Sequence, residues 1–250
     1  MTMLQLKNVS KVYDGKVPYR ALEDVSLTVP KGSFVGLMGP SGSGKTTLLN
    51  IVSTIDRPTS GSVLIDGQNP HALAPGPLAR FRRRELGFVF QDFNLLDTLT
   101  VRENIFLPLA LDGVGAAEMQ RRLDELADVL GIASILDKRT FEISGGQAQR
   151  TAIARAVIHR PKVLLADEPT GSLDSRTARE VIALFETVNR ELGVTVLMVT
   201  HDPMAASYCR RVVFIKDGRI EQQIERTDGQ PAFFGEIVGM MARLERTDEV

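Results

Sequence analysis

An α/β architecture built around a largely parallel sheet is expected for this chain of 250 residues. One apolar strand, "SFVGLMG", runs straight into a glycine-rich loop and then into "TTLLNIVST", where Leu48, Leu49 and Val52 fall at helical spacing. Two more apolar strands, "KVLLAD" and "VTVLMVTH", flank the helical stretch "SRTAREVIALFETVNREL", which is the spacing of parallel strands joined by a crossover helix. The apolar fraction, 43%, is that of an ordinary globular core, enough for one large domain or two small ones.

Taken in order, the first sixty or so residues are β-rich. Val25, Leu27 and Val29 alternate with Ser26 and Thr28, and "GSVLIDG" is a short apolar strand between glycines, so an antiparallel layer is expected here. The middle of the chain, from Gln91 to about Arg160, reads mainly as helix. In "AEMQRRLDELADVLG" Met119, Leu123, Leu126 and Leu130 share one face, and Gly131 stands where a helix ends. After the two later strands, Phe233, Ile237, Met240 or Met241, and Leu244 form an amphipathic stripe with Pro231 in its first turn. That stripe suits packing on its own domain; a dimer or membrane contact is the alternative. The chain is thus expected to be one domain, with 1–90 and 161–225 as core and β subdomain, 91–160 as helical subdomain and 226–250 as a C-terminal amphipathic helix.

A net charge of −1 provides no broad basic field for nucleic acid. "RFRRREL", with Arg82 to Arg84, is interrupted by Glu85 and lacks an aromatic platform, so it reads as a solvated helix face. The single cysteine, Cys209, the absence of a secretory leader in "MTMLQLKNVS" and the lack of any apolar run of about 18 residues point to the cytosol. Any work at a membrane then needs a partner that crosses it. His71 and His159 have no Cys or His neighbours at ligand spacing and read as surface or loop residues.

"GPSGSGKT" fits G-x-x-x-x-G-K-[ST] through Gly39, Gly44, Lys45 and Thr46, in the strand-to-helix setting the motif requires. The loop, with Ser41, Gly42, Ser43 and the following Thr47, converges backbone N–H groups on phosphate oxygens at a helix N-terminus. Lys45 is placed to reach the β- and γ-phosphates, and the Thr46 hydroxyl to bind Mg²⁺. The strand "VLLA" ends in two acids, Asp167 and Glu168: the first suits Mg²⁺, the second the polarisation of an attacking water. "ISGGQAQR", Ile143 to Arg150, opens a helix, either as an N-cap with a glycine hinge or as a second anion site.

Together "GPSGSGKT", Gln91 after "GFVF", "ISGGQ", "VLLADE", "GSLD" and "TH" resemble the nucleotide-binding subunits of ATP-binding cassette (ABC) transporters, in order and spacing, over almost the whole chain. The resemblance implies a P-loop NTPase with a RecA-like mixed sheet core, an antiparallel β subdomain and a helical subdomain, working on ATP with Mg²⁺. It implies that Tyr13, with Tyr19 as competitor, stacks on adenine. Gln91 would touch Mg²⁺ or the water and report on the transporter interface. Ser144, Gly145, Gly146 and Gln147 would bind the γ-phosphate of an ATP held by a second copy, so that a homodimer sandwiches two nucleotides. Asp174 would join the two sites, and His201 would contact the γ-phosphate and position Glu168 and water. Ile143 stands where leucine is usual, a change that keeps bulk and polarity.

"ADEPTGSLDS" is similar to the branch that includes lipoprotein-releasing, macrolide-export and cell-division ATPases. "FQDFNLLDTLTVRENIFLPL", "GGQAQRTAIARA" and "QPAFFGEIVGMMARL" resemble the ATPases of bacitracin-type peptide antibiotic transporters. This implies a subunit at the cytoplasmic face of the membrane, driving a permease with a large extracellular domain. "FNLLDTLTVRENI" would then help form the groove for the permease, or simply pack in the core. A force-transmitting ATPase of cell division or lipoprotein release is the alternative. A cassette acting on DNA or ribosomes would need a second cassette, a coiled-coil insertion or a basic surface, and the sequence has none of these.

Overall fold

The computed structural model describes residues 1–246. β1 (Thr2–Tyr13) and β2 (Tyr19–Pro30) pair antiparallel, and the alternation of β2 buries Val25, Leu27 and Val29 while Ser26 and Thr28 face outward. β3 (Phe34–Met38), buried at every position, leads into the glycine-rich loop and α1 (Lys45–Val52). β4 (Ser60–Ile65) returns to the other edge of β1, completing a three-stranded antiparallel sheet in the order β2-β1-β4. α2 (Pro75–Glu85) and β5 (Leu86–Val89) follow.

The helical middle consists of α3 (Val101–Leu111), α4 (Ala116–Leu130) and α5 (Gly145–Val157). α3 begins with a capping box, Thr100 with Glu103, and α4 ends at Gly131 in the left-handed conformation (φ 64°). Then come β6 (Val163–Asp167), α6 (Ser175–Leu192), β7 (Thr195–Val199), α7 (Pro203–Ala206), β8 (Arg211–Lys216), β9 (Arg219–Glu225) and α8 (Gln230–Arg246). The second sheet runs β5-β6-β7-β3-β8-β9. Its first five strands are parallel and β9 is antiparallel at the edge. One apolar layer, with Leu48, Leu49 and Val52, lies between the two sheets; the other, with Leu123, Leu130, Ile153 and Phe185, joins the helices to the far face of the second sheet. Among the described residues no helix is long and apolar enough to cross a membrane.

Two expectations are altered. The last helix starts at Gln230 rather than 226, because the Arg226 N–H still donates to the Arg210 carbonyl beside the sheet and the turn at Gly229 precedes the helix. Residues 247–250 of that expected helix lie outside the described residues. His71 and His159 lie in connecting segments, one of the two places expected, but are half-buried: Nε2 of each lies against a backbone carbonyl, Ile51 O at 2.9 Å and Leu86 O at 3.0 Å. On α2, Arg82 and Arg84 are exposed, in keeping with a solvated face, and Arg83 and Arg84 both pair with Asp112. In "FNLLDTLTVRENI" Val101 and Ile105 pack in the core, whereas Leu96 is exposed.

Candidate nucleotide site

Because the strands of the second sheet are parallel, their carboxyl ends open on one edge, and the loops that follow β3, β6 and β7 meet there. The glycines of the first loop are dictated by close approach. A Cβ on Gly39 would lie 2.0 Å from the Ile215 carbonyl oxygen, and one on Gly44, where φ is +99°, would lie 2.5 Å from that of Ala21. No bulkier residue lets the loop settle between β2 and β8. Gly44 is also the N-cap of α1 and has no side chain to cap with, so the first-turn amides stay available to an anion. They open on a cavity of about 340 Å³ walled by Ser41, Gly42, Gly44, Lys45, Thr46, Thr47, Tyr19, Glu168 and His201. Lys45 is 9% exposed and donates from Nζ to the Gly39 and Pro40 carbonyls, at 2.9 and 2.8 Å. Burial lowers its pKa, against the opposing pull of Glu168 and Asp167.

β6 delivers the two acids. Asp167 is mostly buried, and burial, then the charge of Glu168, raises its pKa against the opposing effect of Lys45. Its Oδ1 is buried with no hydrogen-bond partner among the described residues, as is the Ser43 hydroxyl. Glu168 sits in the left-handed region (φ 46°), pinned by its N–H to Val199 O at 2.9 Å and by its carbonyl, which accepts from Gly171 N–H at 3.0 Å. Its carboxylate meets His201 Nδ1 at 2.9 Å. One carboxylate oxygen without a partner and a hydroxyl on the cavity wall, with room for phosphate and water oxygens, form the donor set of a hard cation. No group of three or more His, Cys, Asp or Glu side chains able to cage a metal occurs among the described residues. Thr46 and Asp167 therefore fit Mg²⁺, which keeps water and phosphate ligands, better than a metal held by protein alone.

The remaining expected residues gather elsewhere. Ser144 is the N-cap of α5: its Oγ accepts from Gln147 N–H at 3.3 Å, and Gln147 Oε1 accepts from Ser144 N–H at 3.0 Å. Gly145 and Gly146 occupy the first turn, and a Cβ on Gly146 would lie 2.5 Å from Thr177 Cγ2. Asp174 caps α6, accepting from the N–H groups of Arg176 and Thr177 and from the Thr177 hydroxyl at 2.6 Å. The Thr177 hydroxyl and N–H hold its carboxyl below the usual range. The Gln91 side chain rests on Gly171, and the Ser172 hydroxyl lies 3.5 Å from Gln91 O. None of Gln91, Ser144, Gly145, Gly146, Gln147 and Asp174 lines the phosphate cavity. Tyr13 and Tyr19 face each other across β1 and β2, but only Tyr19 lines that cavity, its hydroxyl 3.3 Å from Gly42 O. Tyr13 donates to Asp56 Oδ2 at 2.8 Å, and Lys11 Nζ lies 4.7 Å from its ring centroid. One buttress was not anticipated: the β8–β9 turn, whose Gly218 N–H donates to Ser43 O at 3.1 Å. The Asp217-Gly218 dipeptide, a hairpin signal, marked it in the sequence.

The profile of the ABC transporter family matches residues 22–171. The ABC transporter ATP-binding protein YxdL of Bacillus subtilis is 56% identical over 97% of this chain and 94% of its own length. The bacitracin export ATP-binding protein BceA of Halalkalibacterium halodurans is 47% identical over 95% of each chain. A dimeric, post-hydrolysis structure of the ATP-binding cassette MJ0796, bound to ADP and Pi, superposes with a TM-score of 0.82 at 40% identity, covering 90% of this chain and 100% of that one. A phosphate loop, Glu168 and a histidine converging on one cavity, in a chain that matches these proteins over nearly its full length, show that it belongs to the ABC transporter family, as an ATP-binding subunit that hydrolyses ATP.

Proposed function

We propose that this subunit works as a head-to-tail homodimer, closed by ATP and opened by hydrolysis, at the cytoplasmic face of the membrane, and that its movement drives a permease acting on antimicrobial peptides. The observation that carries the dimer is the separation of two half-sites. The phosphate loop, Glu168 and His201 share one cavity, while Ser144, Gly145, Gly146 and Gln147 form a capped helix start that does not line it. A second copy supplies that helix start to the γ-phosphate, with Asp174 linking the two sites. The ring that stacks on adenine is Tyr13 or Tyr19, and Tyr19, on the cavity wall, has the better access.

Within each site Lys45 leaves the loop carbonyls for the β- and γ-phosphate oxygens, and the α1 amides hold the rest of the phosphate chain. Mg²⁺, when bound, neutralises charge on the β- and γ-oxygens; Thr46 and Asp167 would hold it, with Gln91 close to the metal or the water. Glu168 accepts a proton from the water attacking the γ-phosphorus as the bond to the β-γ bridging oxygen breaks, leaving ADP and phosphate. His201 fixes the Glu168 carboxylate from one side and reaches the γ-phosphate from the other. Gln91 rests on Gly171 and follows β5, so it lies between the hydrolytic strand ends and the exposed segment around Leu96, the surface that suits a permease. The peptide-antibiotic assignment is supported by the similarity to BceA over 95% of each chain.

The test is capture. Glu168→Gln is expected to keep ATP binding while lowering kcat at least about a hundredfold, which holds the closed state. Crosslinking tagged Glu168→Gln in its native cells with ATP should recover a large permease with a sizeable extracellular domain. A short four-span partner would move the assignment to force transmission in division or lipoprotein release, and recovery with ribosomes or DNA alone would overturn the transporter role.

A further inference from the structure

His201 borders several cavities at once, among them a cleft beside Glu168, Leu173 and Met204. It lines the phosphate cavity, and it also borders an apolar cleft of about 330 Å³ together with Pro40, Ser41, Phe214, Met241 and Leu244. Its side chain is 70% exposed and bonds to Glu168, so little restrains the imidazole on its other sides. The far wall of the cleft is α8, which is tied down at both ends. Near its start Gln230 Nε2 donates to the Ser207 hydroxyl at 3.0 Å, just after α7 and so close in sequence to His201. At the other end the Lys216 ammonium donates to Leu244 O at 2.9 Å. Lys216 closes β8, and the neighbouring Ile215 carbonyl is the group against which Gly39 is packed. α8 therefore straps the segment that carries His201 to the strand end that braces the phosphate loop. Phe233 and Ile237, fully buried, account for its attachment; Met241 and Leu244 are only partly buried and face the cleft.

We propose that Met241 and Leu244 are positioning residues for His201: they wall the space beside the imidazole and limit how far it can swing out of the phosphate cavity. An exposed side chain next to open volume divides its time among rotamers, and the fraction in the productive one multiplies the rate. Removing the two side chains enlarges the cleft and lowers that fraction. Binding of ATP, which rests on Lys45, the loop amides and a stacked tyrosine, is untouched. The proposal rests on the reading of His201 and Glu168 as the hydrolytic pair.

The experiment is steady-state ATP turnover of the full chain with Met241→Ala/Leu244→Ala, together with its melting temperature. The expected result is a kcat about tenfold lower with KM for ATP within about twofold of the parent, and recovery of kcat in Met241→Leu/Leu244→Met, which keeps the volume. In a His201→Ala background the same two alanines should produce no further loss, because the group they position is gone. An unchanged kcat in the folded double variant, a change in KM alone, or a full additional loss on top of His201→Ala would overturn the proposal. Should the double variant not fold, Leu244→Ala alone, at the partly buried end of the helix, carries the same comparison. Undiminished turnover in Glu168→Gln would instead remove the hydrolytic pair itself, whatever α8 does.

Discussion

Glu168 shows how much of a site can rest on one residue's backbone. Its left-handed φ of 46° is costly for a side chain with a Cβ, and it is held by hydrogen bonds to Val199 O and from Gly171 N–H. That conformation turns its carboxylate to His201, whereas Asp167, on the regular strand beside it, keeps one oxygen buried and without a partner. Neither feature could be read from "ADE", which gives residue types but not dihedral angles. His71 and His159 were equally opaque, because an isolated histidine carries no periodicity to report which way it points. Their burial lowers both pKa values, with desolvation the main cause and the backbone carbonyl contacts opposing it. In the unfolded chain each takes up a proton near pH 6.5; in the fold each does so only at lower pH. The unfolded state thus binds more protons in that window, and the contribution of neutral histidine to stability, present above about pH 6.5, is lost as pH falls through the folded values. Urea unfolding between pH 7.5 and the acid side should show the midpoint falling with pH, and the fall should be shallower in His71→Gln/His159→Gln. Parallel curves would mean that other groups set the acid limit.

At the scale of elements, what the sequence made legible follows its periodicities. β3, α1, β6, α6 and β7 come where the apolar patterns place them, because each has one environment and one repeat length. α8 shows the limit of such reading. The stripe of Phe233, Ile237, Met240 or Met241, and Leu244 announces a face suited to packing on its own domain, but only the three-dimensional arrangement reveals that the helix ends beside the phosphate loop. Close contacts between elements are likewise silent in sequence. A Cβ on Gly87 of β5 would lie 2.2 Å from the Ala156 carbonyl oxygen of α5, so this glycine lets the helix that carries Ser144 settle onto the strand that leads to Gln91. Gly87→Ala forces backbone against side chain and should cost about 1–3 kcal/mol, read as a lower urea midpoint with unchanged slope. A midpoint within error of the parent would mean that α5 can lift from β5 freely.

For the whole molecule the decisive question is where the second half of each site comes from. The phosphate loop, the acid pair and His201 meet within one chain, and the helix that starts at Ser144 stands apart from them. Ser144 has two separable duties under the proposed dimer, and two substitutions pull them apart. Both Ser144→Ala and Ser144→Arg remove the hydroxyl that caps Gln147 N–H, so both should lose about 1 kcal/mol of stability. The arginine in addition puts a long side chain where the partner's γ-phosphate must fit. In a Glu168→Gln background with ATP, light scattering should find a dimer for the parent and for Ser144→Ala, and a monomer for Ser144→Arg. Dimerisation of all three would leave the start of α5 outside the interface, and the ATP-driven closure proposed for this subunit would need another surface. Loss in both variants, by contrast, would make the cap itself the feature the partner recognises, since the hydroxyl is all that alanine removes.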